Sequence, residues 1–377
     1  MTSVYRPIVY KQSGVALITA LIFTVLVTSF AVAIASQQQI DIRRTGNILA
    51  SERAYLLSQG LEDWAGDILT RDITEATGAI YDHRSEEWGN ELPAIAVEGA
   101  VISGRITDLQ GLINVNGLVD ASGAQVTTEV DRFRRLLIVL SLSPDLVEAV
   151  IDWIDPDTAT TGSSGAEDSN YLSKDPSYRT ANGPMRSISE LRLVEGFTSE
   201  VYASISPFLT ALPASTANPV PNNNNQNNQN NQNNQNNQNN QNNQNNQNNQ
   251  NNQNNNLASS NATPINLNTA PVPVIQALLS NDPTLPLSDS EAETFIENVE
   301  TAEGYETITD LLADSVIVNQ SLSPPDFGPF GPAVVSEYFL IEGRVVLPEA
   351  QVQLFSLVQR DNSDGTLTVL MRGQGSY

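Results

Sequence analysis

Val15 to Ala35 reads VALITALIFTVLVTSFAVAIA, 21 residues without a charge, directly after the basic leader MTSVYRPIVYKQSG. About 20 apolar residues at 1.5 Å rise each span the roughly 30 Å hydrocarbon core of a bilayer. The leader carries Arg6 and Lys11 and no acid. The positive-inside bias therefore places it in the cytoplasm and everything after Ala35 on the far side of the membrane. One reading of the segment is a secretory signal cut between Ala35 and Ser36, after the small-residue pattern Ala33-Ile34-Ala35; against it, the run is longer than the usual h-region of roughly 7–15 residues. A second reading is an anchor that stays uncut.

A third reading uses Gly14. A short basic leader ending in glycine, with the apolar helix starting at Val15, resembles type IV prepilin-like proteins, which a membrane peptidase cuts after the glycine while leaving the helix on the mature chain. The sequence beyond the span favours a helix that is kept. Ser36 to Leu69 holds no proline; Ile42, Leu49 and Leu56 fall seven apart, and Leu57, Leu61, Trp64 and Ile68 continue a stripe at spacings of three and four. A membrane helix that runs on into an amphipathic one is the spine of a pilin-like subunit. An amphipathic linker helix would read the same way.

Composition removes several functional classes. The 377 residues include 43 acids and 18 bases, and phosphates would be repelled, which argues against a nucleic-acid partner. With no cysteine, disulfides, thiolate-bound zinc and thiol catalysis are excluded. The single histidine, His83, argues against a multi-histidine metal site and a histidine-dependent triad.

Further along, Ile95 to Leu109 alternates as strand and turn, followed by Ile113-Asn-Val-Asn116. Val126 to Leu140 has apolar residues at helical spacing, with Arg132, Arg134 and Arg135 expected on other faces. Ser143-Pro144 predicts a helix start ahead of Leu146, Val147, Val150, Ile151 and Ile154. Ser187 to Glu190 reads as a capping box, with Gly196 placed to end the turn. Residues 222–256 are only Asn and Gln; such a tract buries nothing apolar and is expected to be a disordered linker. After it the first half echoes. Ile265-Asn-Leu-Asn268 repeats 113–116, Ser288 and Glu291 form another capping box, and Thr307-Ile-Thr-Asp310 mirrors 187–190. Tyr338–Leu347, Gln351–Gln359 and Leu367–Arg372 alternate as strands, the last two joined by the hairpin turn 361–365, where Asp361 and Asp364 are ordinary turn residues.

The expected fold is α+β: a transmembrane and amphipathic helix packed on a small antiparallel sheet, with a large helical insertion of two small bundles. Its parts are a leader (1–14), a span (15–35), the pilin-like helix and first strands (36–112), a first bundle (113–213), an Asn/Gln linker (214–263), a second bundle (264–325) and the last strands (326–377).

One stretch suggests chemistry. Ile151 to Tyr171 brings Asp152, Asp155 and Asp157, then Glu167 and Asp168 after a Gly/Ser/Thr-rich loop, with Asn170 beside them. Five carboxylates from two short segments would repel one another unless a hard divalent cation joined them, and calcium takes six to eight oxygens from flexible loops. The Asp-x-Asp start lacks the glycine and terminal glutamate of the EF-hand register. A solvated acidic loop explains the same residues, and a paired-carboxylate hydrolase is a third option with no pocket pattern behind it.

Taken together, several segments resemble one family. They are Gly14 to Ile18, Gln110 to Leu118, Asp152-Trp-Ile-Asp-Pro-Asp157, Gly165-Ala-Glu-Asp168, Tyr178 to Asn182, Ser187 to Leu193 and Ile265 to Ala270. The chain is similar to the K-type minor pseudopilins of bacterial type II secretion, over nearly its whole length apart from the Asn/Gln tract. The resemblance implies a structural, non-enzymatic subunit at the tip of a short periplasmic pseudopilus, anchored in inner-membrane lipid. It implies cleavage by a prepilin peptidase between Gly14 and Val15, methylation, and I- and J-type minor pseudopilins, with the H type, as partners. It also implies calcium in the insertion, with Asp152, Asp155, Asp157, Glu167 and Asp168 as candidate ligands. Thr19 would occupy mature position five, where most pilin-like subunits carry glutamate; a threonine there cannot pair with a neighbour's terminal amine, which suits a tip position. The competing function is a membrane-anchored, calcium-dependent binding or adhesion module.

Overall fold

The computed structural model describes residues 15–76, 78–214 and 261–375. Gly14 with the leader, and the Asn/Gln tract, lie outside the described residues.

Helix α1 (Val15–Thr74) runs without interruption for 60 residues, about 90 Å at 1.5 Å per residue. It is the one helix among the described residues long and apolar enough to cross a membrane. The hydroxyls of Thr19, Thr24, Thr28 and Ser29 all donate back to carbonyls three or four residues earlier, so the polar atoms of the span are satisfied inside the helix.

Only the last third of α1 is covered. Ala54, Ser58, Leu61, Glu62, Ala65, Ile68, Leu69 and Ile73 are buried against a five-stranded antiparallel sheet. The sheet comprises β1 (Leu92–Val97), β2 (Ala100–Asp108), β7 (Tyr338–Val346), β8 (Gln351–Arg360) and β9 (Leu367–Gln374), in the order β1-β2-β7-β8-β9. Of the expected stripe, Leu61 and Ile68 are buried on the sheet, whereas the heptad row before them faces elsewhere: Ile42 and Leu56 are 72% and 65% exposed. The sheet-facing row is offset from it, because glycines in the sheet decide where the helix can approach. Gly104 and Gly343 are register partners on β2 and β7. A Cβ at either would come within 2.9 Å of Leu61 Cδ2, so both stand where the helix presses closest. Polar contacts fix the helix along its axis, among them buried Glu62, which accepts three bonds from Arg372 of β9 (2.6, 2.9 and 3.2 Å) and one from Ser356 of β8.

Between β2 and β7 the chain leaves the sheet to build two helical units of one plan. The first pairs β3 (Ile113–Asn114) in parallel with β4 (Leu209–Thr210) and contains α2 (Thr127–Val139), α3 (Leu146–Ile154), α4 (Asp168–Tyr171), a 3-10 turn (Ile188–Leu193) and α5 (Ser199–Ile205). The second pairs β5 (Ile265–Asn266) with β6 (Pro332–Ala333) and contains α6 (Val272–Leu278), α7 (Asp289–Thr301), α8 (Ile308–Leu312) and α9 (Ser315–Asn319). The echo has a structural basis. Asn116 exchanges bonds with the backbone N–H and C=O of Met185 (2.8 and 2.9 Å), and Asn268 does the same with Tyr305 (2.9 and 3.1 Å). Each partner stands two residues before the hydroxyl, Ser187 or Thr307, that caps the next helical turn. The two units share one hydrophobic core running from Ile113 to Val334, with Phe133, Leu136, Ile275 and Phe295 fully buried in it.

The structure corrects several local expectations. Arg132 and Arg135 are buried, not on outer faces: Arg132 pairs with buried Glu129 (2.6 Å), and Arg135 donates to the Ala277 and Asp282 carbonyls. Helix α3 begins at Leu146 with Asp145 at its N-cap, because Ser143 and Pro144 form the preceding turn. The Ser187 side chain accepts from Ser189 rather than Glu190, and the turn it caps is 3-10. The second unit runs on past 325 to β6, so the sheet resumes at Tyr338 rather than 326.

Candidate metal centre

Proline at 156 disfavours helix at the residue before it, so α3 stops and Asp155 is extended (ψ 157°). Asp152 lies on the last turn of α3, Asp155 caps it, and Asp157 follows. Glu167 precedes α4 and Asp168 opens it. The loop between folds back through small residues. Gly162 takes φ +60°, and a Cβ on Gly165 would fall 2.3 Å from Asp152 Oδ2 and from the Thr161 carbonyl. Glu148 of α3 ties the loop down by accepting from the Ser164 N–H (2.7 Å). Beneath it, Trp153 packs edge-on to Tyr171 (5.3 Å), and Lys174 lies over the Tyr171 and Tyr178 rings while pairing with Glu195 (2.7 Å).

This folding brings one carboxylate oxygen each of Asp155, Asp157 and Glu167 within 4.8 Å of the others. Asp152 and Asp155 are buried, as is Glu167, and Asp157 is exposed. Among the described residues, eight buried side-chain atoms have no hydrogen-bond partner. Five lie at this site: Asp152 Oδ2, Asp155 Oδ1 and both oxygens of Glu167, with Asn182 Oδ1 from the segment beyond α4. Four buried carboxylate oxygens without donors carry the full cost of desolvation, which a bound cation would offset. The electrostatics agree. Burial, then the charges of Asp157 and Asp152, push Asp155 up to about 6; burial, then Asp152 and Asp155, push Glu167 up to about 7; burial also raises Asp152. The donor set is all oxygen, which fits a hard divalent ion such as calcium.

Asp168 is drawn away. Its carboxylate accepts from the Thr180 N–H (3.1 Å) and Oγ1 (3.0 Å) and pairs with Arg179 (2.5 Å). Against the cost of desolvation, these bonds hold it below the usual range. Asn182 enters from a segment outside the predicted cluster: it donates to the Asp157 carbonyl (3.1 Å) and leaves its own oxygen unpartnered. Glu148 and Asn182 carry no local acidic pattern, so spacing alone did not mark them.

A second trio, Asp72, Asp82 and Glu86, also converges, but Arg360 bonds two of its members.

Two family models, both described as Type II secretion system (T2SS), protein K, match residues 111–214 and 265–325, which are the two helical units. The type II secretion system protein K of Pseudomonas aeruginosa is 28% identical over 97% of this chain and 93% of its own length. That of Aeromonas hydrophila is 31% identical over 54% of this chain and 65% of its own, and that of Pectobacterium carotovorum 34% over 54% and 64%. The crystal structure of the GspK-GspI-GspJ complex of the enterotoxigenic Escherichia coli type 2 secretion system contains a chain that matches with TM-score 0.65 at 19% identity. The match covers 89% of this chain and all of that one, and it carries the fold.

Proposed function

Because the chain belongs to the protein K family of type II secretion systems, we propose that it is a minor pseudopilin. It is a non-catalytic, single-span subunit of the inner membrane with its bulk in the periplasm, at the tip of a short pseudopilus that supports protein export. Its partners are the I- and J-type minor pseudopilins, a reading supported by the composition of the complex that holds the matching chain. The observation that carries the proposal is α1: an unbroken helix whose first 21 residues suit a bilayer and whose last third is keyed to a sheet. The Thr19 hydroxyl bonds the carbonyls of Val15 (3.1 Å) and Ala16 (3.0 Å). It is thus engaged within its own helix, which supports a subunit that need not dock beneath another.

Calcium held by Asp152, Asp155, Asp157 and Glu167, with Asn182 at the edge, completes the reading. The ion supplies positive charge to buried oxygens; the chain supplies the loop that closes on it. Its role is structural.

The test is the N-terminal residue of the mature chain, read by mass spectrometry of membranes with and without the prepilin peptidase. The expected start is Val15, lost when the peptidase is absent. A start at Ser36 overturns the proposal.

A further inference from the structure

A buried polar joint between the sheet and the second helical unit has no part in the function proposed above. Arg360, at the end of β8, is fully buried. It donates to Asp72 of α1 (2.7 Å), to both oxygens of Asp82 (2.7 Å each) and to the Ser336 carbonyl (3.0 Å), over the face of Phe339. Asp108, at the end of β2, accepts from Ser336 Oγ (2.6 Å), Thr269 Oγ1 (2.5 Å) and Asn266 Nδ2 (3.2 Å). Glu86 accepts from the Trp88 indole N–H (2.6 Å) and the His83 amide (3.0 Å). Asp72, Asp82 and Glu86 bring carboxylate oxygens within 4.8 Å of one another.

The segment 81–88 is the bridge. Its acids face α1 and the sheet. On its other side Arg84 donates twice to the Thr269 carbonyl (3.0 and 2.5 Å), and His83 packs so tightly on Gly304 that a Cβ there would fall 2.8 Å from it. Four acids thus meet two guanidiniums: Arg360, which pairs with Asp72 and Asp82, and Arg84, whose charge acts on Asp108. The other charged or titratable groups near the bridge add little relief. Tyr81 is neutral, burial raises Asp108, Glu300, Glu303 and Glu306 add negative charge from the second unit, burial pushes His83 down, and Glu87 of the bridge pairs at the surface with Arg71 of α1 (3.1 Å). Burial and the Asp108 charge, only partly offset by Arg360 and by the Ser336 N–H that Asp82 accepts (2.7 Å), push Asp82 up to about 7; burial, then Asp72, pushes Glu86 up to about 8.

We propose that this joint is a proton-operated latch. While Asp82 and Glu86 retain protons, the 81–88 bridge holds the second helical unit against the sheet; when the protons pass to solvent, like charges drive the bridge off α1 and loosen that unit. Both acids have folded values above the ordinary carboxylate range of about 4. The contribution of the latch is therefore complete below about pH 4 and is lost as pH rises through 7 to 8.

The test uses the full chain in detergent micelles, with saturating calcium throughout so that the acidic loop stays fixed. With ¹⁵N-labelled tryptophan, the Trp88 indole signal, assigned by its loss in Trp88→Phe, is followed from pH 5 to 9. Its inflection is expected between pH 7 and 8. Amide exchange at 265–270, corrected for the intrinsic rate, is expected to rise at least tenfold from pH 6 to 8.5, and Glu86→Gln is expected to abolish both changes. A Trp88 inflection below pH 6, or exchange at 265–270 that ignores pH, overturns the latch. If Glu86→Gln does not fold, the two wild-type readouts decide alone.

Discussion

The two helical units have one frame and opposite ways of closing it. In each, a parallel two-residue strand pair and an asparagine bound to a remote backbone pair (Asn116 on Met185, Asn268 on Tyr305) fix the start of a short helical turn. In the second unit, residues 302–307 join α7 to that turn, helped by Gly304 at φ +88°. Among its described residues, 265–335, no buried side-chain atom lacks a partner. In the first, residues 155–187 make the same connection and gather the unpartnered carboxylates. A short turn is ordered by its own geometry. A long loop must offset more chain entropy, and on the function proposed above a cation among these acids is what would do so.

The sharpest way to break this comparison is chelation. Removing calcium held at 100 times its Kd should cost about 2.7 kcal/mol and several degrees of Tm. In calorimetry and amide exchange, the loss of protection should concentrate in 155–187 and spare 302–307. Equal loosening of both units would end the distinction. Because Asp155 and Glu167 bind protons up to about pH 6 and 7, protons compete with the ion. Calcium affinity measured by titration calorimetry should fall by a factor of about 10 to 100 between pH 7.5 and 5.5.

Asn116→Ala and Asn268→Ala should each destabilise by about 1–3 kcal/mol, since each strands a backbone N–H and C=O, with the larger loss at Asn116, whose bonds are buried and which also donates to the Leu212 carbonyl (3.0 Å). A denaturation midpoint left unmoved by either change would show that the frame is not truly shared. Asp155→Asn should lower calcium affinity at least tenfold. Without calcium the same change should raise stability by about 1 kcal/mol, because it removes like-charge repulsion; destabilisation of the calcium-free chain would contradict the crowding of acids. The smallest effect belongs to the Asn/Gln tract. Asn114 Nδ2 donates to the Leu212 and Asn261 carbonyls (3.4 Å each), so one side chain meets both flanks of the segment. Deleting 222–256 should stabilise by about 1 kcal/mol or less in a thermal melt, through a shorter closed loop.

What could be read from the residues was what repeats locally. The apolar span, the alternation of β7 to β9 and the caps at Ser288 and Thr307 are written within a few positions of themselves. The acids of the candidate site were legible as a cluster, but the removal of Asp168 by Thr180 and Arg179 was not. Nor was the arrival of Asn182 from fifteen residues beyond Glu167. Arg132 and Arg135 illustrate the limit. Helical spacing puts a charge outside by default, and only the neighbours on α6 and beyond reverse that. The Arg360 joint unites residues 278 and 288 positions apart, and no local pattern announces it.

The bidentate grip of Arg372 on Glu62 has a mechanical meaning. Apolar side chains let one helix slide along a sheet by trading one contact for an equivalent one, so such a surface resists separation better than shear. A bidentate ion pair anchored on a buried carboxylate has no equivalent one turn away. A pull directed along α1 is therefore delivered to β8 and β9 as tension instead of being dissipated as slip, and the folded head travels with its anchor as a single rigid piece.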